Sequence, residues 1–234
     1  MPFLLGMFER IKDILEKNSY FYHYFNDKHF RVRLTLIIGI LTNLFYLVFN
    51  GIIGILYSDF LSCLTIVVYY TLTLFVRCII LRVQGSSYTE RDGYLASLIC
   101  GVLILLLFVP VSVIIIYTLV TKEVNSYSES VIAILASYAI YTLVSVVLYI
   151  RRSEGDSLLT HRVAYSTRLV TALMSAFNLF VALLPGFSVG KIVALVLIFV
   201  FGTSVALIVL FLGLSIVKRS VNALKKQNNS SNIL

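Results

Sequence analysis

Long apolar runs alternate with short polar junctions over most of this chain. Six such runs cover residues 34–57, 60–81, 95–119, 131–150, 163–184 and 192–217. A bilayer hydrocarbon core of about 30 Å needs roughly 20 helical residues, so each run meets or approaches the length of a membrane span. The pattern predicts an all-α polytopic bundle of six transmembrane helices.

The residues outside the runs divide the chain into three parts. In residues 1–33, apolar positions recur at three- and four-residue steps between Phe3 and Lys17 and are followed by aromatic residues, which predicts an amphipathic helix in the membrane interface rather than beneath the bundle. Residues 34–217 form one transmembrane domain. Residues 218–234 are first basic and then, from Asn222, rich in Asn and Ser, which predicts a disordered tail.

Pro and Gly positions predict local features of the spans. Pro110 should kink the third span near its middle, and Pro185 should end the fifth, because proline lacks the N–H that a helix interior needs. In the sixth span, Gly202, Ala206 and Gly213 permit a close approach of another helix.

Composition and charge fit this interpretation. The chain is 59% hydrophobic and 13% charged, whereas soluble domains carry roughly a quarter charged residues. Of the 19 Lys and Arg residues, all but Lys122 and Lys191 lie on the side of the amino terminus. Cytoplasmic loops carry such an excess, so both termini are predicted in the cytoplasm and the net charge of +8 needs no nucleic-acid partner. The expected location is the plasma membrane.

Polar residues within the runs fall on one face of each of four spans. Such groups are costly in lipid, so these faces should point inward, either joining the helices or lining a polar cavity. The candidate ligand-binding residues are Asn43, Asn50, Tyr69, Thr73, Arg77, Tyr141, Arg168 and Asn178.

Arg77 and Arg168 carry the strongest functional signal, because each lies about one turn inside the cytoplasmic end of its span. Their side chains either reach out to the headgroups or form a cationic pocket with Arg82, His161 and Arg162. Such a pocket would open to the cytoplasm and hold a small anion or an anionic lipid headgroup.

Catalytic signatures are weak. No Asp or Glu lies within any run, which disfavours a proton or cation relay, and no metal or cofactor site is predicted. The sequence from Gly186 to Gly190 matches a serine-hydrolase elbow, but Ser188 is predicted outside while the three histidines are predicted inside, so no general base is available. The chain is therefore not expected to be an enzyme.

The stretch from Ser58 to Arg77, residues 138–141, and the loop from Arg151 through Ser157 into a polar-striped fifth span resemble uncharacterised six-span membrane proteins of low-GC Gram-positive bacteria. The resemblance implies the architecture and no activity. The predicted role is transport or binding of a small solute or anionic lipid through a cytoplasm-facing polar cavity. The alternative is a non-catalytic membrane scaffold or accessory subunit, and the oligomeric state stays open.

Overall fold

The structure is a computed structural model that describes residues 28–57, 60–84, 90–121, 127–152, 159–187 and 190–231. These residues form α-helices and one short 3-10 helix, without any strand. In chain order the helices are α1 (Lys28–Leu56), α2 (Phe60–Gln84), α3 (Glu90–Leu106), α4 (Phe108–Thr121), α5 (Glu129–Arg152), α6 (Leu159–Leu183) and α7 (Lys191–Ser231). The predicted amphipathic segment lies outside the described residues, apart from 28–33, which belong to α1.

The six predicted spans are confirmed. Helices long and apolar enough to cross a membrane cover Leu34–Leu56, Cys63–Val83, Glu90–Thr121, Glu129–Ile150, Arg162–Phe187 and Lys191–Asn229. Large apolar side chains such as Phe45, Phe75 and Phe211 point outward, as expected where lipid is the solvent. The all-α membrane fold therefore follows from the apolar runs alone.

The third span is broken where Pro110 predicts a kink. Helix α3 ends at Leu106 and α4 begins at Phe108, with Leu107 in a turn between them. The proline ring clashes with the carbonyl four residues earlier, that of Leu106, and cannot donate to it. The Leu107 amide is shared between the carbonyls of Leu103 and Ile104, at 3.3 and 3.1 Å, which keeps the backbone bonded across the break.

The fifth span ends as the sequence predicts. A 3-10 helix, Leu184–Phe187, contains Pro185 and follows α6 directly. Residues 184–187 tighten the last turn in place of further α-helical bonds, a common way to end a helix. The last span, α7, then begins at Lys191.

Three helix pairs make the most extensive contacts: α1 with α2, α5 with α6, and α7 with the α3–α4 span. Helix α6 also contacts α2, α3 and α7, which makes it the hub of the bundle. Helices α1 and α5 lie side by side at the edge but are not among the closely packed pairs of the described chain. The two hairpins α1–α2 and α5–α6 therefore face one another, with their polar faces between them.

Small residues explain why α7 fits closely against the third span. A Cβ atom added at Gly213 would meet the Leu105 side chain at 2.7 Å and its backbone nitrogen at 3.0 Å, and one added at Gly202 would meet Ile115 at 2.7 Å. These separations are shorter than carbon contacts allow. The prediction that these glycines permit close packing is confirmed.

The carboxyl-terminal end differs from the disordered tail predicted from Asn222. Helix α7 continues to Ser231, so at about 1.5 Å per residue it is roughly twice as long as the hydrocarbon core is thick. Residues 223–227 are Ala, Leu, Lys, Lys and Gln, all good helix formers, and they follow a helix that is already nucleated. The Asn and Ser content of the residues after Asn222 therefore led to a wrong prediction of disorder for the part of the tail that the structure describes.

We expect Gly213→Ala to lower the midpoint of thermal unfolding, because the added methyl must displace Leu105 and overpacking costs roughly 1–3 kcal/mol. Gly51→Ala is the matched control: nothing lies within 4 Å of its added Cβ, and alanine is favoured over glycine in a helix by about 1 kcal/mol. Thermal unfolding of both variants in one detergent checks this. Equal stability of the two variants would contradict the close α3–α7 packing.

Candidate functional site

The candidate site lies where the polar faces of α1, α2, α5 and α6 meet. Of the predicted binding residues, those now found buried are Asn43, Asn50, Tyr69, Thr73, Arg77 and Arg168. Asn178 is half-buried, whereas Tyr141 is 37% exposed and lies at the edge between α1 and α5. The structure thus brings most of the predicted set into the bundle interior and leaves Tyr141 at its surface.

A chain of hydrogen bonds joins three of these helices. The Tyr138 hydroxyl on α5 donates to Asn43 Oδ1 on α1 at 2.6 Å, and Asn43 Nδ2 donates to Thr73 Oγ1 on α2 at 3.3 Å. The Thr73 hydroxyl in turn donates to the Tyr70 carbonyl at 2.8 Å. Asn43 therefore connects the two hairpins, with its amide using both its acceptor and its donor side.

Four tyrosines form an aromatic cluster around this connection. The rings of Tyr46 and Tyr138 stack at 3.8 Å between centroids, and Tyr70 packs edge-on against both, at 4.9 and 5.9 Å. Tyr69 packs against Tyr70, and its hydroxyl donates to the Val170 carbonyl at 2.9 Å, which attaches α2 to α6. Tyr70 was missed by the sequence analysis, because it lies one position off the polar stripe of its span.

Some polar atoms in the cluster have no partner among the described residues. The Tyr46 hydroxyl faces the side-chain amides of Asn50 and Asn178 without reaching hydrogen-bond geometry. The Tyr70 hydroxyl and Asn178 Nδ2 are also buried and unpaired. Buried polar atoms are rarely left unpaired, so this region retains hydrogen-bonding capacity that the surrounding helices do not use.

Arg77 is buried with very little compensation. It is 8% exposed, and its one hydrogen bond to a described residue, from Nη2 to Thr171 Oγ1, is long at 3.5 Å. Its Nη1 lies directly against Gly39, where any side chain would occupy the same space, and its Nε is buried without a partner. Among the described residues, neutral hydroxyls and no carboxylate surround this guanidinium.

Arg168 is held by α5. It is 7% exposed, its Nη1 donates to Ser145 Oγ at 3.4 Å, and its guanidinium carbon lies 4.3 Å from the centre of the Tyr149 ring. Such cation–π contacts contribute roughly 0.5–2 kcal/mol. Because Thr171 follows Arg168 by about one turn on α6, Arg77 contacts the turn of that helix next to the one that carries Arg168.

Both arginines lie toward one end of the bundle, where α2 and α5 end and α6 begins; we call this the basic end. Of the two alternatives left open for these side chains, the structure shows both arginines buried against other helices rather than extended to the headgroups. Arg82 and Arg162 are exposed, and the side chain of His161 lies outside the described residues. Of the four arginines assigned to the predicted cationic pocket, Arg77 and Arg168 are therefore buried and Arg82 and Arg162 are exposed, and the pocket itself stays a prediction.

A polar strip extends from the basic end toward the opposite side. On α6, Arg168, Thr171, Ser175 and Asn178 lie on one face, and the Ser175 hydroxyl shares a 2.7 Å hydrogen bond with Thr142. From Arg168 to Asn178 the strip covers about 15 Å, or half the hydrocarbon thickness. The polar faces of α5 and α6 are therefore hydrogen-bonded to each other, as expected of residues that join helices. The polar strip on α6 also connects the arginines to the tyrosine cluster.

One groove opens on the membrane-facing side, between α1 and α5. Its volume is about 480 Å³. The residues that line it are Leu41, Thr42, Phe45, Tyr46, Ala133, Ile134, Ser137, Tyr138 and Tyr141. Neither arginine is among them, so this groove is distinct from the cytoplasm-facing cavity expected from the sequence, which stays a prediction.

Within the described ranges, no group of three or more His, Cys, Asp or Glu residues is placed to hold a metal ion. Cys63 and Cys100 are buried, whereas Cys78 is exposed on α2.

We expect Tyr138→Phe to destabilise the protein by roughly 1 kcal/mol, because it removes the donor to buried Asn43 while keeping the stacked ring. Tyr141→Phe is the control, since this hydroxyl lies at the exposed edge. Unfolding of the two variants by denaturant distinguishes them. Equal stability would show that the Tyr138–Asn43 hydrogen bond contributes nothing.

Comparisons of the chain with family models, with curated proteins and with solved structures found no match. The site consists of two buried guanidiniums at the basic end of a six-span membrane bundle, joined by a polar strip to a cluster of tyrosines.

Proposed function

We propose that this integral membrane protein binds an anionic ligand, a small solute or the headgroup of an anionic lipid, at Arg77 and Arg168. The observation that carries the proposal is the environment of Arg77. A buried guanidinium has five N–H donors, and here one long hydrogen bond to a hydroxyl is all that the described residues supply. A phosphate or carboxylate supplies paired, charge-assisted acceptors that are roughly twice as strong.

Energetics support an anion over a purely structural role for Arg77. Placing an arginine within a membrane span costs about 2.5–3.5 kcal/mol on insertion scales, and a single neutral hydrogen bond between membrane helices contributes less than about 2 kcal/mol. A bound anion would offset the part of the insertion cost that this hydrogen bond does not cover. Gly39 belongs to the same arrangement, because only a residue without a side chain leaves room for Arg77 Nη1.

The proposed role is non-catalytic. Support comes from the sequence, in which no carboxylate lies within the apolar runs. The polar strip from the arginines to the tyrosines would provide a path for a solute, so transport is an extension of the same binding site. The alternative is a membrane scaffold or accessory subunit, and the hydrogen bonds between the polar faces of the helices favour it.

The orientation belongs to the same proposal. The protein is proposed to lie in the plasma membrane with both termini in the cytoplasm, so that the basic end faces the cytoplasm. The arginines would then bind cytoplasmic anions or headgroups of inner-leaflet lipids. The charge distribution of the loops supports this assignment.

A panel of ligands tests anion binding. We expect phosphatidylglycerol or inorganic phosphate to raise the melting temperature of the purified wild-type protein by several degrees, while zwitterionic phosphatidylcholine does not. Stabilisation of about 2.7 kcal/mol is expected at a hundredfold excess over Kd, and 1 kcal/mol corresponds to about 2–4 °C in a protein of this size. Response to phosphate would identify a small-anion site, and response to phosphatidylglycerol alone a lipid site.

Arg77→Gln should abolish this shift, and Arg91→Gln, which changes an exposed arginine at the start of α3, should preserve it. Because the shift is measured within each variant, a change in basal stability does not affect the comparison. Equal shifts in the Arg77→Gln and wild-type proteins, or no shift with any anion, would contradict the proposal and favour the scaffold.

Reporter fusions test the orientation. Green fluorescent protein fluoresces in the cytoplasm and not after unfolded export, so a fusion after Leu234 should fluoresce and one after Lys122 should not. The reverse pattern would place the basic end, and both arginines, on the external side.

A further inference from the structure

The groove lies between α1 and α5, which are not among the closely packed helix pairs of the described residues. Helix α1 packs on α2 and α5 on α6, and the two meet at the Tyr46–Tyr138 stack and again at their outer ends. There the rings of Tyr57 and Tyr127 pack at 5.2 Å, and the Tyr57 hydroxyl accepts from the Ser128 amide at 3.2 Å. Aromatic contacts thus hold the backbones apart and leave a concave surface between them.

The walls of the groove consist mainly of apolar side chains. Leu41 and Phe45, which are 59% and 65% exposed, form one side, and Ile134 lies on the other. Two of the wall hydroxyls donate within their own helices, Thr42 to the Ile38 carbonyl at 2.9 Å and Ser137 to the Ala133 carbonyl at 2.8 Å. These two donors are therefore not available to a polar occupant, and the third wall hydroxyl, that of Tyr141, lies at the exposed edge of the groove.

The position of the groove identifies what fills it. Its lining residues belong to the spans Leu34–Leu56 and Glu129–Ile150, and they lie within hydrocarbon depth. At that depth the surrounding solvent consists of lipid chains. A volume of about 480 Å³ falls within the roughly 300–1,000 Å³ of ordinary ligand sites, and the groove is bounded by helices on two sides.

The floor of the groove is rigid. Tyr138 is fixed by its stack on Tyr46 and by its hydrogen bond to Asn43, and Tyr46 is fully buried. A chain lying here would contact flat aromatic surface on the floor and aliphatic or aromatic side chains on both walls. A preorganised concave surface binds more strongly than the convex face of a single helix, because it buries more of the ligand at a lower ordering cost.

We propose that the α1–α5 groove is a binding site for one acyl chain of a membrane lipid, distinct from the general lipid shell. The site goes beyond the proposed anion binding and does not depend on Arg77 or Arg168. Its ligand is recognised by chain shape rather than by charge.

The absence of tryptophan from the sequence permits a direct test. Phe45→Trp places a single tryptophan on the groove wall, and Phe199→Trp, at a position that is 48% exposed on α7, is the matched control. Each position lies roughly ten residues, or about 15 Å, from the same end of the bundle. Both proteins are reconstituted into phosphatidylcholine vesicles with increasing fractions of a lipid brominated in mid-chain.

At the groove, we expect quenching to saturate at a lower fraction of brominated lipid than at Phe199→Trp, where it should follow the bulk fraction. In detergent, quenching of the groove reporter should reach its plateau near one brominated lipid per protein. Superimposable curves for the two reporters would overturn the proposal.

A second experiment fills the groove with a larger side chain. Ala133→Phe in the Phe45→Trp background should occupy the site and return the quenching curve to that of the control, since Ala133 lines the opposite wall. Unchanged preferential quenching would place the bound chain elsewhere. If Phe45→Trp does not fold, Leu41→Trp on the same wall carries the same expectation.

Discussion

The fold depends on one constraint: lipid offers no hydrogen-bond partner, so a polar group within a span is costly unless another helix, its own backbone or a bound ligand supplies one. The serine and threonine hydroxyls mostly donate to carbonyls three or four residues earlier. The groups that cannot do so, Asn43, Arg77, Arg168 and the tyrosines, lie where two hairpins meet. Their pairing requires α1–α2 to face α5–α6, which in turn leaves α7 and the α3–α4 span to pack through glycines.

Sequence patterns predict the spans well because a membrane imposes length and polarity directly. The break near Pro110, the end of α6 at Pro185 and the small-residue contacts of Gly202 and Gly213 all follow from local chemistry. Contacts between helices were harder to predict from the sequence. Periodicity placed Tyr141 among the inward residues and left out Tyr70, because a helical face is broad and the boundary between lipid and protein depends on neighbours that the sequence does not specify. The continuation of α7 was missed because composition was given more weight than helix propensity.

The placement of the arginines was also beyond sequence analysis. An arginine one turn inside a span can reach the headgroups by extending its side chain, and length alone does not decide its direction. Gly39 decides it for Arg77, since the space opposite that glycine admits Nη1. For Arg168 the Tyr149 ring and Ser145 provide the contacts. Periodicity also did not indicate the separate lipid-facing groove, because the groove arises where α1 and α5 are not closely packed.

Specific polar contacts in the membrane interior hold the two hairpins together. A double-mutant cycle between Asn43→Ala and Tyr138→Phe, measured as free energies of unfolding, tests this directly, because it isolates the 2.6 Å hydrogen bond that joins α1 to α5. We expect the two effects not to be additive, with a coupling energy of roughly 1 kcal/mol. Strict additivity would contradict it, since the hairpins would then be held by shape alone.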